Sequence, residues 1–309
     1  MYEIIKNTSK VDFIKLFKIN GPLSIFLAVL ALIRVLNGGL DLGVDFKGGA
    51  GIQVKFQQQI DLAVLRGALD AKGFFGASVQ SIGVAEDHEY LIKVPAKESN
   101  LNEVTQSISG LLTQNFQSQG AEIRKTDIVG PKAGSELRTS AFLAMIYSML
   151  AILIYLALRF EFKYAPGAVI ALLHDVCLVV GVLSFTPYEF DLQTVAALLA
   201  IIGYSVNDTV VIYDRIRENE EKYAGVAFAD HINRATNETL SRTILTSAAT
   251  LMVCIIMYLF GGDSIHGFFF CMSLGIIFGT YSTIYIASPV TLILHNLQRK
   301  KSGLKVKEA

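Results

Sequence analysis

The sequence predicts a polytopic α-helical membrane protein with six transmembrane helices and a small α+β domain, of ferredoxin-like type, between the first helix and the second. Three observations predict this class. The 309-residue chain is 52% hydrophobic, and its mean hydropathy is +0.47. Only 17% of its residues are charged, whereas soluble domains carry about 25%. The composition therefore argues against an ordinary soluble enzyme.

Charge balance and cysteine content exclude further classes. The 27 Lys and Arg residues balance 27 Asp and Glu residues, so no net basic charge indicates nucleic-acid binding. The three cysteines lie inside apolar runs, where a thiol usually behaves as a small hydrophobic group. We therefore expect no disulfide scaffold, no metal site and no cofactor.

Apolar runs define the predicted spans, since a transmembrane helix needs about 20 mostly apolar residues. The first run, 19–36, follows four lysines and precedes no small-residue cleavage site, which favours an uncleaved anchor helix over a signal peptide. The clear spans that follow are 140–158, 165–185, 192–213, 243–260 and one long tilted helix in 265–294. The predicted divisions are a cytoplasmic N-terminus 1–18, a first helix 19–36, a domain 37–139, a five-helix bundle 140–295 and a basic tail 296–309.

Lysine and arginine predict the orientation, because positively charged short segments stay in the cytoplasm. The N-terminal stretch, the 159–164 and 214–242 connections and the tail carry basic residues, whereas the 186–191 and 261–264 loops carry none. This alternation predicts that both termini are cytoplasmic and that 37–139 lies on the opposite side.

Periodicity predicts the order β-α-β-β-α-β within the domain, which is typical of a ferredoxin-like sandwich. The predicted strands are 51–56, 77–84, 90–94 and 122–129, and the predicted helices are 61–72 and 100–116. Asp45 and His88 invite a catalytic interpretation, but no partner set stands at useful spacing. We interpret His88 as solvated surface and expect a domain that binds or moves rather than reacts.

Ionisable residues inside the predicted spans are the strongest functional signal, since a charge at a helix centre costs about 2.5–3.5 kcal/mol on insertion scales. They are His174, Asp175, Asp208 and, at the start of the next span, Arg242. Asn207 and Thr209 flank Asp208 and are predicted to hold water or its carboxylate. A carboxylate that approaches and leaves a guanidinium can release and bind a proton, and histidine titrates near neutral pH.

Two structural interpretations stay open beside proton movement. Asp208 and Arg242 could form a static buried pair that fixes helix register. His174 and Asp175 could serve in structural hydrogen bonding as readily as in a proton relay, because adjacent residues point about 100° apart on a helix.

Five motifs then make the chain similar to a known family. They are Leu-Gly-Val-Asp-Phe-Lys-Gly-Gly at 42–49, Val-Gly-Pro at 129–131, Arg-Phe-Glu-Phe-Lys at 159–163, Gly-Tyr-Ser-Val-Asn-Asp-Thr-Val-Val-Ile-Tyr-Asp-Arg-Ile-Arg-Glu-Asn at 203–219, and Ile-Asn-Arg-Ala-Thr-Asn-Glu-Thr-Leu-Ser-Arg-Thr at 232–243. In this order around six spans, they resemble the SecF family, the smaller half of the bacterial SecDF complex of the Sec protein-export pathway.

This resemblance implies a fold of the resistance-nodulation-division type in the bacterial inner membrane, with a periplasmic domain after the first span. It implies a SecD partner, the SecYEG channel with YajC or YidC nearby, and a translocating preprotein driven by the proton-motive force. Asp208 and Arg242 match the family's proton-coupling pair, and His174–Asp175 matches a pair whose role is less settled. Asp45, Gly48 and Gly49 match a pattern at the domain junction, which we interpret as a hinge.

Alternative functions stay open from the sequence. The first is a proton-driven exporter of small molecules or lipids, although the larger domains and duplicated spans of such proteins are missing here. The second is a scaffold that holds the translocase together without using energy. An intramembrane enzyme built on His174 and Asp175 is the weakest alternative, because no nucleophile or ligand set accompanies them. We expect no enzymatic activity.

Overall fold

The computed structural model describes residues 11–82, 87–96, 100–160 and 162–301. Its elements in chain order are α1 (Phe13–Leu36), α2 (Val44–Lys47), β1 (Gly49–Lys55), α3 (Leu62–Ala71), β2 (Ser78–Ile82), β3 (Glu89–Pro95), α4 (Leu101–Asn115), β4 (Glu122–Val129), α5 (Pro131–Arg159), α6 (Ala165–Leu183), α7 (Leu192–Lys222), α8 (Phe228–Phe260), α9 (Asp263–Ser282) and α10 (Ser288–Lys301). A π-helical segment, Thr283–Ala287, joins α9 to α10 in one continuous rod.

Six helical rods among the described residues are long and apolar enough to cross a membrane: α1, α5, α6, α7, α8 and the α9–α10 rod. This agrees with the six predicted spans, including the single long helix at the C-terminal end. Residues 1–10 and 302–309, which belong to the predicted cytoplasmic ends, lie outside the described residues, as do the last two residues of the strand predicted at 77–84.

Several helices are longer than the predicted spans. α5 begins at Pro131, inside the segment assigned to the domain, because proline suits the first turn of a helix. α8 begins at Phe228, fifteen residues before the predicted span at 243. Its polar extension binds the start of α1, where the Oδ1 atoms of Asn233 and Asn237 accept the backbone N–H groups of Ile14 and Val11. Hydropathy alone does not reveal such polar continuations.

Burial separates inner from outer helices. In the most apolar 18 residues of each helix, the share of residues that are buried is 56% for α6 and 50% for α7. The share is 11% for α5 and 17% for α1 and α8. α6 and α7 therefore lie at the centre of the bundle, and the outer helices present apolar faces to lipid or to another chain.

The α+β domain is one antiparallel sheet with α3 and α4 on one face. The strand order is β2-β3-β1-β4, so β1 is central and pairs with β3 and β4. Ile52 of β1 stands opposite Ile92 of β3, and both are fully buried against Leu65 of α3 and Ile108 of α4. The predicted element order is the order observed, and alternate residues of the two inner strands, β1 and β3, face the core.

Candidate functional site

The polar site of the bundle depends on a close approach of α7 and α9. A Cβ atom added to Gly279 would lie 3.1 Å from the Cβ of Ser205, and one added to Gly275 would overlap the side chain of Ile201. Small residues at such positions let helix backbones come together. Short hydroxyl side chains on α9 can therefore reach acidic groups on α6 and α7.

Asp175 lies at the centre of the first polar cluster and is completely buried. The hydroxyls of Ser205 on α7 and Ser282 on α9 each donate to Oδ2 at 2.8 Å. His174 Nδ1 lies 3.2 Å from Oδ1. Three helices thus supply hydrogen bonds to one carboxylate, which compensates its removal from water.

His174 links this cluster to the outer face of the bundle. Its side chain is 7% exposed, and its Nε2 atom has no hydrogen-bond partner within the described residues. It lines an apolar groove of about 360 Å³ between α1 and α6. The ring therefore lies between the buried carboxylate and an apolar surface.

Asp208 is the centre of the second polar cluster. It lies on α7, one turn after Ser205. It is 5% exposed, and Ser247 of α8 donates to its Oδ2 at 3.3 Å. Thr280 of α9 donates in turn to the Ser247 hydroxyl at 2.8 Å. Because 3.3 Å is long for an O–H···O bond, the Asp208 carboxylate is held much less firmly than that of Asp175.

Arg242 lies on α8 with an exposed side chain and does not form the predicted ion pair in this structure. Both residues are described, and their charged atoms do not approach within the 4.0 Å of a salt bridge. Asp208 and Arg242 therefore stand on the neighbouring helices α7 and α8 without a direct ion pair.

The residues flanking Asp208 face different ways. Thr209 is buried, and its hydroxyl lies 3.0 Å from that of Thr283 and donates to the Ser205 carbonyl at 3.2 Å. Asn207 is exposed, and its side chain has no hydrogen bond within the described part of the chain. Neither residue holds the carboxylate in this arrangement, and Ser247 does so instead.

Sequence reasoning missed the hydroxyl groups that build both clusters. They are Ser205, Ser247, Thr280, Ser282 and Thr283. Their spacing is the signal that could have identified them. Ser205 lies three residues before Asp208, and Thr280 lies three residues before Thr283. Residues three apart lie on the same face of a helix. The π-helical segment begins at Thr283, and such segments occur frequently at functional sites.

The domain junction is closely packed around its predicted residues. Asp45 Oδ2 accepts the backbone N–H of Leu192, the first residue of α7, at 3.2 Å. Gly48 has φ +81°, and a Cβ there would lie 2.7 Å from the Cα of Pro131. A Cβ on Gly49 would overlap the Val94 carbonyl oxygen. Glycine is required at 48 by conformation and at 49 by space.

Comparison with known proteins gives the family. The family described as "Protein export membrane protein SecD/SecF, C-terminal" matches residues 109–297. The chain is 40% identical to the protein translocase subunit SecF of Calditerrivibrio nitroreducens over 96% of its length and 98% of that protein. The chain belongs to the SecF family of protein translocase subunits. SecF of Vibrio alginolyticus is 40% identical over 95% of this chain and 93% of that protein. SecF of Rickettsia conorii is 41% identical over 98% of this chain and 97% of that protein.

Solved structures of SecDF have the same fold. The crystal structure of SecDF from Thermus thermophilus, described as a translocon-associated membrane protein, superposes with a TM-score of 0.78 at 32% identity and covers 96% of this chain. SecDF in a super-membrane-facing form gives a TM-score of 0.74 at 32% identity over 98% of this chain. This chain spans 40% and 41% of those longer chains. It is a multi-pass membrane protein that corresponds to one part of SecDF.

Proposed function

We propose that this chain acts with SecD to convert the proton-motive force into preprotein movement across the membrane. Family membership gives the role of a protein translocase subunit. The observation that supports proton coupling is Asp208, a buried carboxylate with one long hydroxyl contact and, among the described residues, no ion pair with Arg242. Ionisable groups inside a membrane commonly mark ion pathways.

The proposed cycle uses the separation of the two charges. Asp208 binds a proton from the predicted periplasmic side while Arg242 stands apart. When the proton leaves toward the cytoplasm, the ionised carboxylate attracts Arg242, and α7 and α8 shift toward each other. The gradient supplies about 2.3 kcal/mol per charge per 100 mV. His174 and Asp175 relay the proton or support α6, α7 and α9. Thr209 joins α7 to the π-helical segment, and Asn207 faces outward for water or a partner.

The setting of this cycle is also proposed. The chain lies in the bacterial inner membrane with both termini cytoplasmic and residues 37–139 periplasmic. The apolar outer faces of α1, α5 and α8 suit lipid and SecD. SecYEG, with YajC or YidC, delivers the preprotein. The strand order β2-β3-β1-β4 with both helices on one face supports a ferredoxin-like domain, and Asp45, Gly48 and Gly49 form its junction with the bundle.

Export by Asp208→Asn tests the proposal in a strain depleted of the native subunit, with assembly followed by co-purification of SecD. Asparagine keeps the shape and the hydrogen bond but binds no proton. We therefore expect normal assembly and loss of gradient-dependent export. Asp214→Asn is the matched control, because Asp214 lies on the same helix but its carboxylate is 42% exposed and pairs with Arg159 at 3.1 Å.

Export at the wild-type level in Asp208→Asn would contradict proton coupling. The acid would then be structural, and a scaffold that uses no energy would explain the family relationship. An exporter of small molecules or lipids draws no support from the relatives, which are named as translocase subunits.

A further inference from the structure

The α+β domain contacts the bundle at the first residues of the two helices that line both polar clusters. Asp263, the first residue of α9, accepts from Ser81 of β2 through its Oδ2 atom, at 2.9 Å from the hydroxyl and 3.3 Å from the backbone nitrogen. The residue before α7, Asp191, lies 3.4 Å from Lys93 Nζ of β3. One sheet therefore contacts the starts of both α7 and α9.

Asp191 has two roles at once. Its Oδ1 accepts the backbone N–H of Thr194 at 2.9 Å, which caps the N-terminus of α7. Its Oδ2 faces Lys93, whose side chain is only 13% exposed. A displacement of the sheet therefore acts directly on the group that caps the helix carrying Asp208.

Glu189 strengthens the same contact from the loop before α7. Its Oε2 lies 3.9 Å from Lys93 Nζ and has no hydrogen-bond partner within the described residues. Phe190, between the two acids, is fixed by backbone bonds to Asp41 at 2.7 Å and to Gly43 at 2.9 Å. The single positive charge of Lys93 thus lies between two carboxylates of a loop whose backbone is hydrogen-bonded to Asp41 and Gly43.

From this arrangement we infer that Lys93 is a positioning residue that couples the α+β domain to Asp208 through the capped start of α7. This inference rests on the proposed proton-coupled function. Asp208 lies sixteen residues along α7 from Leu192, about 24 Å at the helical rise, so a continuous helix joins the two places. Coupling between binding equilibria is reciprocal, and the protonation state of Asp208 must then affect the order of the sheet.

Amide hydrogen exchange in the purified complex with SecD tests this reciprocity. Asp208→Asn mimics the protonated acid, and it should change exchange in residues 78–82 and 89–95 by about fivefold or more, the lower limit of typical coupling. In a Lys93→Glu background that response should disappear, because a third acid repels the loop. Lys93→Glu combined with Glu189→Lys and Asp191→Asn restores one pair of opposite charges between the sheet and the loop without a facing acid at the cap, and it should restore the response.

Lys55→Glu is the matched control. Lys55 lies on the same face of the sheet and pairs at 3.7 Å with Glu89, a residue of the sheet itself. It should leave the response to Asp208→Asn unchanged. If Lys93→Glu does not assemble with SecD, Lys93→Met removes the charge without adding an acid.

A response to Asp208→Asn that persists in both Lys93 variants would overturn the inference, and so would its absence in the wild-type background. The export assay distinguishes failure of this inference from failure of the proposed function. Loss of export in Asp208→Asn without any exchange response would retain proton coupling and reject Lys93 as its route.

Discussion

Two buried aspartates lie on the central helices of the bundle, and their surroundings differ. Asp175 accepts two short hydroxyl bonds and contacts a histidine, all from within the chain. Asp208 has one long hydroxyl contact and, among the described residues, no ion pair with Arg242. A carboxylate whose hydrogen bonds are complete stabilises one arrangement, whereas one with few partners can change partners at low cost. The comparison predicts that Asp175 belongs to the framework and Asp208 to the moving part.

The largest expected effect concerns the framework. Asp175→Leu leaves the hydroxyl of Ser205 and the Nδ1 of His174 without their buried partner, whereas the Ser282 hydroxyl keeps the Gly279 carbonyl at 3.2 Å. At about 1–3 kcal/mol for an unsatisfied buried group, we expect a loss of about 3 kcal/mol in unfolding free energy. Thermal unfolding in detergent and co-purification with SecD measure it.

Asp208→Leu is the counterpart of that variant, and it should lower the unfolding free energy by about 1 kcal/mol. Only Ser247 loses a partner, and its hydroxyl still accepts from Thr280. Equal destabilisation by the two leucine variants would remove the distinction between the two clusters.

The smallest expected effect is on the pH dependence of stability. It concerns a third carboxylate, Glu189, which lies outside the membrane helices. Burial raises the pKa of Glu189 above the ordinary 4.5, although the charge of Lys93 and a hydrogen bond from Ser78 act to lower it and Asp41 and Asp191 to raise it further. Between pH 4.5 and the higher folded pKa, the folded protein binds a proton that the unfolded chain does not bind. Stability from this group therefore increases as the pH falls through that range.

Glu189→Gln should abolish that increase, a change of about 1 kcal/mol or less. Thermal unfolding between pH 4 and 7 measures it, with Glu103→Gln on the exposed face of α4 as the control. The same pH profile in wild type and Glu189→Gln would show that the buried glutamate does not titrate differently in the folded state.

The fold was largely predictable because its signals are periodic. β4 lies at 122–129 as predicted, and the six spans are those that length and hydropathy indicate. Helix ends were less predictable, since the polar start of α8 at 228–242 is stabilised by contacts with α1 that no hydropathy window detects.

The acids of the site were predictable, but their partners were not. Asp175 and Asp208 are conspicuous because charge is costly in a membrane. Their hydroxyl partners are ordinary residues of apolar helices, and depth along a helix does not fix its rotation. The sequence therefore does not decide whether Asn207 or Thr209 binds the Asp208 carboxylate. In the structure Thr209 faces Thr283 and Asn207 faces outward. The hydrogen bond to the carboxylate comes from Ser247 on α8.

Infrared difference spectroscopy of the reconstituted complex with SecD tests the central claim most directly, because a protonated carboxyl group has its own C=O stretching band. If Asp208 is the acid that binds and releases the proton, a carboxyl band that changes with pH disappears in Asp208→Asn and persists in Asp175→Asn. A band that persists in Asp208→Asn and disappears in Asp175→Asn would contradict the account and transfer the proton to the framework cluster.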